Sequence, residues 1–231
     1  MTTKIAINGL GRIGRMVLRV ALNREDVEVV ALNASYPPET IAHLLKYDTT
    51  HGRFNQTVEA TENGIKVDGK EIKLVSDRNP ENLPWGALDI DIVVEATGKF
   101  NHGDRANAHI KAGAKKVILT GPSKGGEVQT IVKGVNDHEL DVMQYDVFSN
   151  ASCTTNCLAP VAKILNDHFG IENGLMTTVH AVTNDQNNLD NPHKDLRRAR
   201  AAFESIIPTS TGAAKALSPV SYTHLTLPTS D

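Results

Sequence analysis

The sequence predicts an α/β protein built on a doubly wound parallel sheet, and three observations carry that expectation. Short apolar runs rich in β-branched residues recur at 4–8, 27–32, 91–98 and 116–122; the first runs straight into a glycine-rich turn; and helix-patterned segments lie between the runs. Strand, helix, strand in repetition is the order that a parallel sheet with crossover helices requires.

Lys4-Ile5-Ala6-Ile7-Asn8 reads as a buried strand. It leads into Gly9-Leu10-Gly11-Arg12-Ile13-Gly14 and then a helix whose apolar positions are Met16, Val17, Val20 and Ala21. In this context GxGxxG predicts a Rossmann-type dinucleotide site. Gly9 permits a tight turn, Gly11 lets backbone approach a pyrophosphate, and Gly14 lets helix and strand pack closely. The helix N-terminus then offers its N–H groups to phosphate oxygens.

The second strand, Val27 to Leu32, ends in Asn33-Ala34-Ser35, where the usual fingerprint carries an acid for the ribose hydroxyls. A carboxylate roughly 4 Å from a 2′-phosphate costs about 4 kcal/mol per charge at an effective dielectric near 20, so its absence removes the main barrier to NADP. Ser35 can donate to that phosphate, and NADP is the preferred cofactor on this reading. NAD remains able to bind through Asn33 and backbone.

Residues 57–75, with turns at Asn63-Gly64 and Asp68-Gly69, read as a small antiparallel insertion with no chemistry of its own. Asp91 to Gly98 and Lys116 to Pro122 read as central parallel strands joined by a helix from Arg105 to Ala112 that Gly113 closes. Their carboxyl ends, at Thr97 and Thr120, are expected at the cofactor crevice. Lys124-Gly125-Gly126 lacks the GxxxxGK[ST] pattern, which argues against ATP chemistry, and the histidines show no HExxH or Cys/His metal spacing, so no metal is expected.

The chain has 231 residues, 40% of them hydrophobic, and a net charge of −3. That is enough for one large domain or two small ones. It provides no basic field for nucleic acid or an anionic membrane surface. Two cysteines, no apolar run of membrane-spanning length and no signal peptide point to a reducing cytoplasm.

The densest chemical signal is Ser149-Asn150-Ala151-Ser152-Cys153-Thr154-Thr155-Asn156-Cys157. Ser152 suits an N-cap, and Cys157, Val161, Ile164 and Leu165 recur at helical spacing. Cys153 therefore falls in a first turn, where N–H groups and the dipole favour thiolate. Two small buried cysteines, or a CxxxC disulfide, are the other readings. Downstream, Gly174 to Thr183 reads as a strand with His180 near its end, and a Cys–His pair from a helix start and a strand makes an activated nucleophile.

Taken together, Asn8 to Arg15, Ser149 to Cys157, Thr178-Val179-His180 and Pro208 to Lys215 resemble the phosphorylating glyceraldehyde-3-phosphate dehydrogenases, from Lys4 to about Leu217. The resemblance implies a nucleotide domain over 1–150 and the start of an α+β catalytic domain over 151–220, including an S-loop at 183–203. It also implies a homotetramer working on glyceraldehyde 3-phosphate and inorganic phosphate. Cys153 would attack the aldehyde and His180 would take the proton. Ser152, Thr154, Arg198, Thr211 and Gly212 match positions that hold the attacking phosphate; Thr183 and Asp185 match the substrate-phosphate side. Arg12, Ile13 and Arg78 match residues lining the cofactor. Asn191-Pro192, where NAD-specific members commonly carry Leu-Pro, and Ala34 resemble the NADP-preferring bacterial branch that works in the biosynthetic direction, Asn191 approaching the 2′-phosphate.

Erythrose-4-phosphate dehydrogenase shares the cysteine motif and is the enzymatic rival, with Thr211-Gly212 favouring the first family; aspartate-semialdehyde dehydrogenase has a different cysteine motif. A dinucleotide-binding fragment without catalysis is the reading from another class. After Leu217 the sequence departs from the family, and 221–231 resembles translated sequencing adapter. The expectation is thus a truncated chain with an artificial tail, inactive and poorly soluble, whose residues 1–150 can still fold; a genuine variant C-terminus is the alternative.

Overall fold

The computed structural model describes residues 2–212, and the tail reading at 221–231 falls outside them. The chain divides into two compact units, Met1–Ser152 and Cys153–Asp231.

Unit one is organised by a nine-stranded sheet in the order β3-β4-β5-β2-β1-β6-β7-β9-β8. Its strands are β1 (Thr3–Asn8), β2 (Val27–Asn33), β3 (Val58–Thr61), β4 (Gly64–Val67), β5 (Lys70–Val75), β6 (Ile92–Glu95), β7 (Lys116–Leu119), β8 (Gln129–Thr130) and β9 (Val147–Ser149). The β3–β4 and β4–β5 pairs are antiparallel, and the remaining ladders are parallel. β1 lies between β2 and β6, so the winding reverses beside it and opens a crevice at the carboxyl ends of these strands.

Both faces of β1 are buried, as a central parallel strand requires. Ile5 and Ile7 join Leu18 of α1 (Arg12–Ala21) and Ile41 and Leu45 of α2 (Pro38–Lys46) on one side. Ala6, between them on the alternating strand, packs with Trp85, Ile90 and Val93 on the other. Ala106 of α3 (Gly103–Lys111) covers Val117, Leu119 and Val147 further along the sheet.

Several elements differ from the sequence reading. Val20 is 63% exposed, and Arg19 takes the buried position instead. Arg19 donates twice to Leu45 O and once to Gly52 O, satisfying a carbonyl in the last turn of α2 that has no intrahelical partner, and its guanidinium lies over the Phe54 ring. The 57–75 segment is more than an insertion, because β5 pairs in parallel with β2 and joins the main sheet. Its first turn falls on Glu62-Asn63, and Gly64 is in β4, where a Cβ would lie 2.0 Å from Ile72 O. The helix α2 and the short strands β8 and β9 are additional.

Unit two contains α4 (Cys153–Phe169) and a single 3₁₀ turn at Leu196–Ala199 among its described residues. The strand expected over 174–183 does not form: its residues carry no regular structure, and among the described residues no segment pairs with them. Alternating β-branched residues make a strand only when a ladder partner satisfies their backbone.

Candidate active site

In unit one, Gly9 holds φ +94 and passes so near Thr97 that a Cβ would lie 2.7 Å from its methyl. At Gly11, the residue before α1, a Cβ would meet nothing within 4 Å, so the space above it is open. At Gly14 a Cβ would lie 1.9 Å from Gly9 O, so only hydrogen lets the helix approach the turn. No side chain caps α1 and no acid occupies its first turn, leaving the first N–H groups for an anion. Beside them opens a cleft of about 540 Å³ lined by the glycine turn, Asn33 to Tyr36, Asp77, Arg78, Thr97 and Lys99. An uncapped helix start with open space above Gly11 suits a pyrophosphate, and Arg78 and Lys99 supply positive charge.

Of the residues expected at the cofactor, Gly9, Gly11, Asn33, Ser35, Arg78 and Thr97 line this cleft. The others lie elsewhere for local reasons. Arg12 pairs with Asp48, whose carboxylate also accepts from the N–H groups of Thr50 at 3.0 Å and His51 at 2.8 Å. These donors, Arg12 foremost, hold the Asp48 carboxyl far below the usual carboxylate range. Ile13 points outward, 52% exposed. Gly14 is buried against the turn. Thr120 donates its hydroxyl to Glu95 O at 3.1 Å. Asn191 belongs to unit two, where its N–H meets Ala199 O at 3.0 Å.

Sequence reasoning missed Asn8, Asp77 and Lys99 in the cleft wall, and a buried polar set of Trp85, Glu95 and His109 that is hydrogen-bonded to the wall through Asn8 and Thr97. Glu95 was the available signal: a carboxylate closing an apolar strand run demands buried donors.

In unit two the thiol of Cys153, at the start of α4, lies 3.3 Å from His180 Nε2. His180 Nδ1 is 2.7 Å from Ala181 O, and since that carbonyl can only accept, Nδ1 carries hydrogen and Nε2 faces the sulfur with its lone pair. The contact with His180 lowers the Cys153 pKa, opposed by burial, and the hydroxyl and N–H of Thr154 lower it further. The Ala181 carbonyl and the Cys153 sulfur raise that of His180. Both shifts favour thiolate beside imidazolium, and no strand is required to orient the ring. Both Cys153 and Cys157 are free and exposed, against the buried and disulfide readings. Ala151, two residues before the thiol, holds φ +56, a left-handed conformation rare outside glycine.

Ser152 directly precedes α4, and Thr154 sits in its first turn. Asp185 and Arg198, expected in different anion pockets, form one ion pair, with His193 at 3.4 Å from the same carboxylate and Thr209 accepting from Arg198 Nε at 2.9 Å. The opposite charges of Asp185 and of Arg198 in the 3₁₀ turn attract before any anion is considered. The Thr183 N–H is engaged by Gln186 Oε1 at 3.0 Å, and Thr211 and Gly212 are exposed at the end of the described residues.

Residues 3–103 match the family model for the glyceraldehyde 3-phosphate dehydrogenase NAD binding domain, and residues 152–224 match the model for its C-terminal domain. The chain belongs to the glyceraldehyde-3-phosphate dehydrogenase family. Across 220 residues, 95% of the chain, it is 76% identical to a Staphylococcus epidermidis protein named glyceraldehyde-3-phosphate dehydrogenase 2 and 74% identical to one of the same name from Staphylococcus aureus. The chain spans 64% of the length of each relative. The family's NAD binding domain model thus covers the glycine turn and the cleft, and its C-terminal domain model covers the Cys153–His180 pair. No helix among the described residues is long and apolar enough to cross a membrane.

Proposed function

We propose that this chain carries the nucleotide site and the nucleophile of a phosphorylating glyceraldehyde-3-phosphate dehydrogenase. The observation that carries the reading is the 3.3 Å contact between Cys153 Sγ and His180 Nε2 in a segment matched by that family.

His180 takes the Cys153 proton, the thiolate attacks the carbonyl carbon of glyceraldehyde 3-phosphate, and the imidazolium returns that proton to the new alkoxide, giving a hemithioacetal and a neutral imidazole. His180 next takes the hydroxyl proton of that adduct. The bound dinucleotide supplies a hydride acceptor. The two-electron oxidation leaves a thioester on Cys153, and inorganic phosphate displaces the sulfur to release an acyl phosphate. Ser152, Thr154, Arg198, Thr211 and Gly212 are assigned to that phosphate, Thr183 and Asp185 to the substrate phosphate; the reaction then requires Arg198 to leave Asp185.

In unit one the glycine turn and α1 hold the pyrophosphate. NADP is the favoured cofactor, because residues 33–35 bring no carboxylate while Ser35, Arg78 and Lys99 line the wall. The Asp77 carboxylate accepts from Asn79 N–H at 2.8 Å and Asn82 Nδ2 at 3.1 Å, which commits it to its own turn. A cytoplasmic homotetramer working in the biosynthetic direction completes the proposal.

The test is peptide mass spectrometry after mixing the protein with glyceraldehyde 3-phosphate and oxidised NADP or NAD in the absence of phosphate. An acyl adduct on Cys153, absent in Cys153→Ser, is expected in a full-length enzyme carrying these residues, with a lower Kd for NADP, and no turnover is expected from the 231-residue chain by itself. No adduct with either cofactor would sink the mechanism. Dinucleotide binding without catalysis is the second reading, favoured by a cleft built from unit one alone, and it predicts binding with no adduct.

A further inference from the structure

Beneath the cleft floor, buried polar side chains form an unbroken run through unit one. The Trp85 indole, a donor only, reaches His109 Nδ1 at 3.0 Å, so the imidazole hydrogen sits on Nε2, 3.0 Å from Glu95 Oε2. That oxygen also accepts from the Asn8 amide, and Oε1 accepts from the N–H and the hydroxyl of Thr97. Asn8 Oδ1 in turn accepts from Asn33 Nδ2 at 2.6 Å. The run ends on the main chain of Asp77, whose O accepts from Asn33 Nδ2 at 2.8 Å and whose N donates to Asn33 Oδ1 at 3.0 Å.

A carboxylate with no exposed surface and four donors is a rigid anchor, because every donor must be abandoned to move it. At the other end, the residue after Asp77 is Arg78, which lines the cleft and whose guanidinium makes no hydrogen bond or ion pair among the described residues. Both N–H groups of Asn33 are engaged by Asn8 and Asp77, so Asn33 retains only one oxygen lone pair for a ligand.

We propose that Asn33 is a positioning residue: anchored by Asn8 and Glu95, it fixes the turn that presents Arg78 to an anionic group of the bound nucleotide. This rests on the dinucleotide reading of the cleft. A conventional acid at this strand end touches the ribose itself; here the side chain acts through its neighbour on the next loop.

A double-mutant cycle tests it, by calorimetric titration of the 231-residue chain with ADP-ribose and with its 2′-phosphorylated form. Arg78→Ala and Asn33→Ala are each expected to weaken binding about tenfold, and the combined variant to bind no more weakly than the worse single, since coupled sites are non-additive. Losses that multiply to roughly a hundredfold would instead mean independent contacts and overturn the proposal. An Asn33→Ala variant that binds like wild type would also overturn it. Should Asn33→Ala fail to fold, Asn33→Ser takes its place in the cycle with the same outcomes. A wild-type chain that binds neither nucleotide overturns the dinucleotide reading and, with it, this inference; binding with multiplying losses overturns this inference alone.

Discussion

Unit one holds its glycine turn with a nine-stranded sheet, two-sided burial of β1 and a buried carboxylate, whereas unit two holds Cys153 and His180 with a helix start and the carbonyl of the next residue. The cleft is therefore a product of contacts between residues far apart in sequence. The thiol pair depends on one contact across 27 positions and the carbonyl beside His180. Apolar residues show the same contrast: Leu18, Leu32 and Leu45 have no exposed surface, while Val161, Ile164 and Phe169 of α4 are 55%, 59% and 82% exposed. Packing changes are thus expected to act strongly in the first unit and weakly in the second, and polar changes at the thiol to act on reactivity while leaving the fold intact.

The largest effect is expected from Gly14→Ala. Its methyl would meet Gly9 O at 1.9 Å, so helix and turn must separate; urea unfolding is expected to register a loss of about 3 kcal/mol or more, with loss of nucleotide binding. Gly11→Ala is the control, its Cβ meeting nothing within 4 Å. It is expected to keep the unfolding midpoint and to lose affinity only where a phosphate must approach. Equal midpoints for both variants would contradict the close-packing role of Gly14.

Next comes Leu18→Ala, which empties a site with no exposed surface and is expected to cost about 2–5 kcal/mol in the same assay. His180→Ala acts on reactivity. It removes the largest influence lowering the Cys153 pKa. The midpoint of iodoacetamide alkylation against pH is therefore expected to move upward, toward the ordinary thiol value near 8.5. At pH 7 the rate is expected to fall about tenfold with unit one's unfolding unchanged. A downward or absent shift would mean that the imidazole does not stabilise the thiolate. The smallest effect is expected for Ile164→Ala, within about 0.5 kcal/mol in urea; a loss as large as that of Leu18→Ala would erase the contrast between the units.

Much of unit one was readable from local signals. Strand runs, the glycine turn and the crossover helix depend on periodicity and backbone sterics, which neighbouring residues impose. Val20 and Arg19 show the limit. Helical spacing put Val20 inside, but the chain at 45–54 needed donors for its carbonyls and took Arg19. β8 and β9, two and three residues long, are too short to leave a periodic pattern. In the site, Cys153 and its helix were legible because a first turn is a local event. The strand around His180 was not, since a ladder depends on a partner supplied from elsewhere.

Residue order alone therefore determined the glycine turn, the cysteine at a helix start and the absence of an acid at positions 33–35, because glycine sterics, helix starts and side-chain charge are properties of short segments. Only the tertiary structure decided that Asn33 has both its amide hydrogens engaged, that Glu95 lies beneath the cleft, and that Arg12 and Arg198 face carboxylates. Such pairings join residues from 13 to 87 positions apart. Which donor reaches which acceptor follows from how strands stack and loops return, and that is settled by burial and packing across the whole fold.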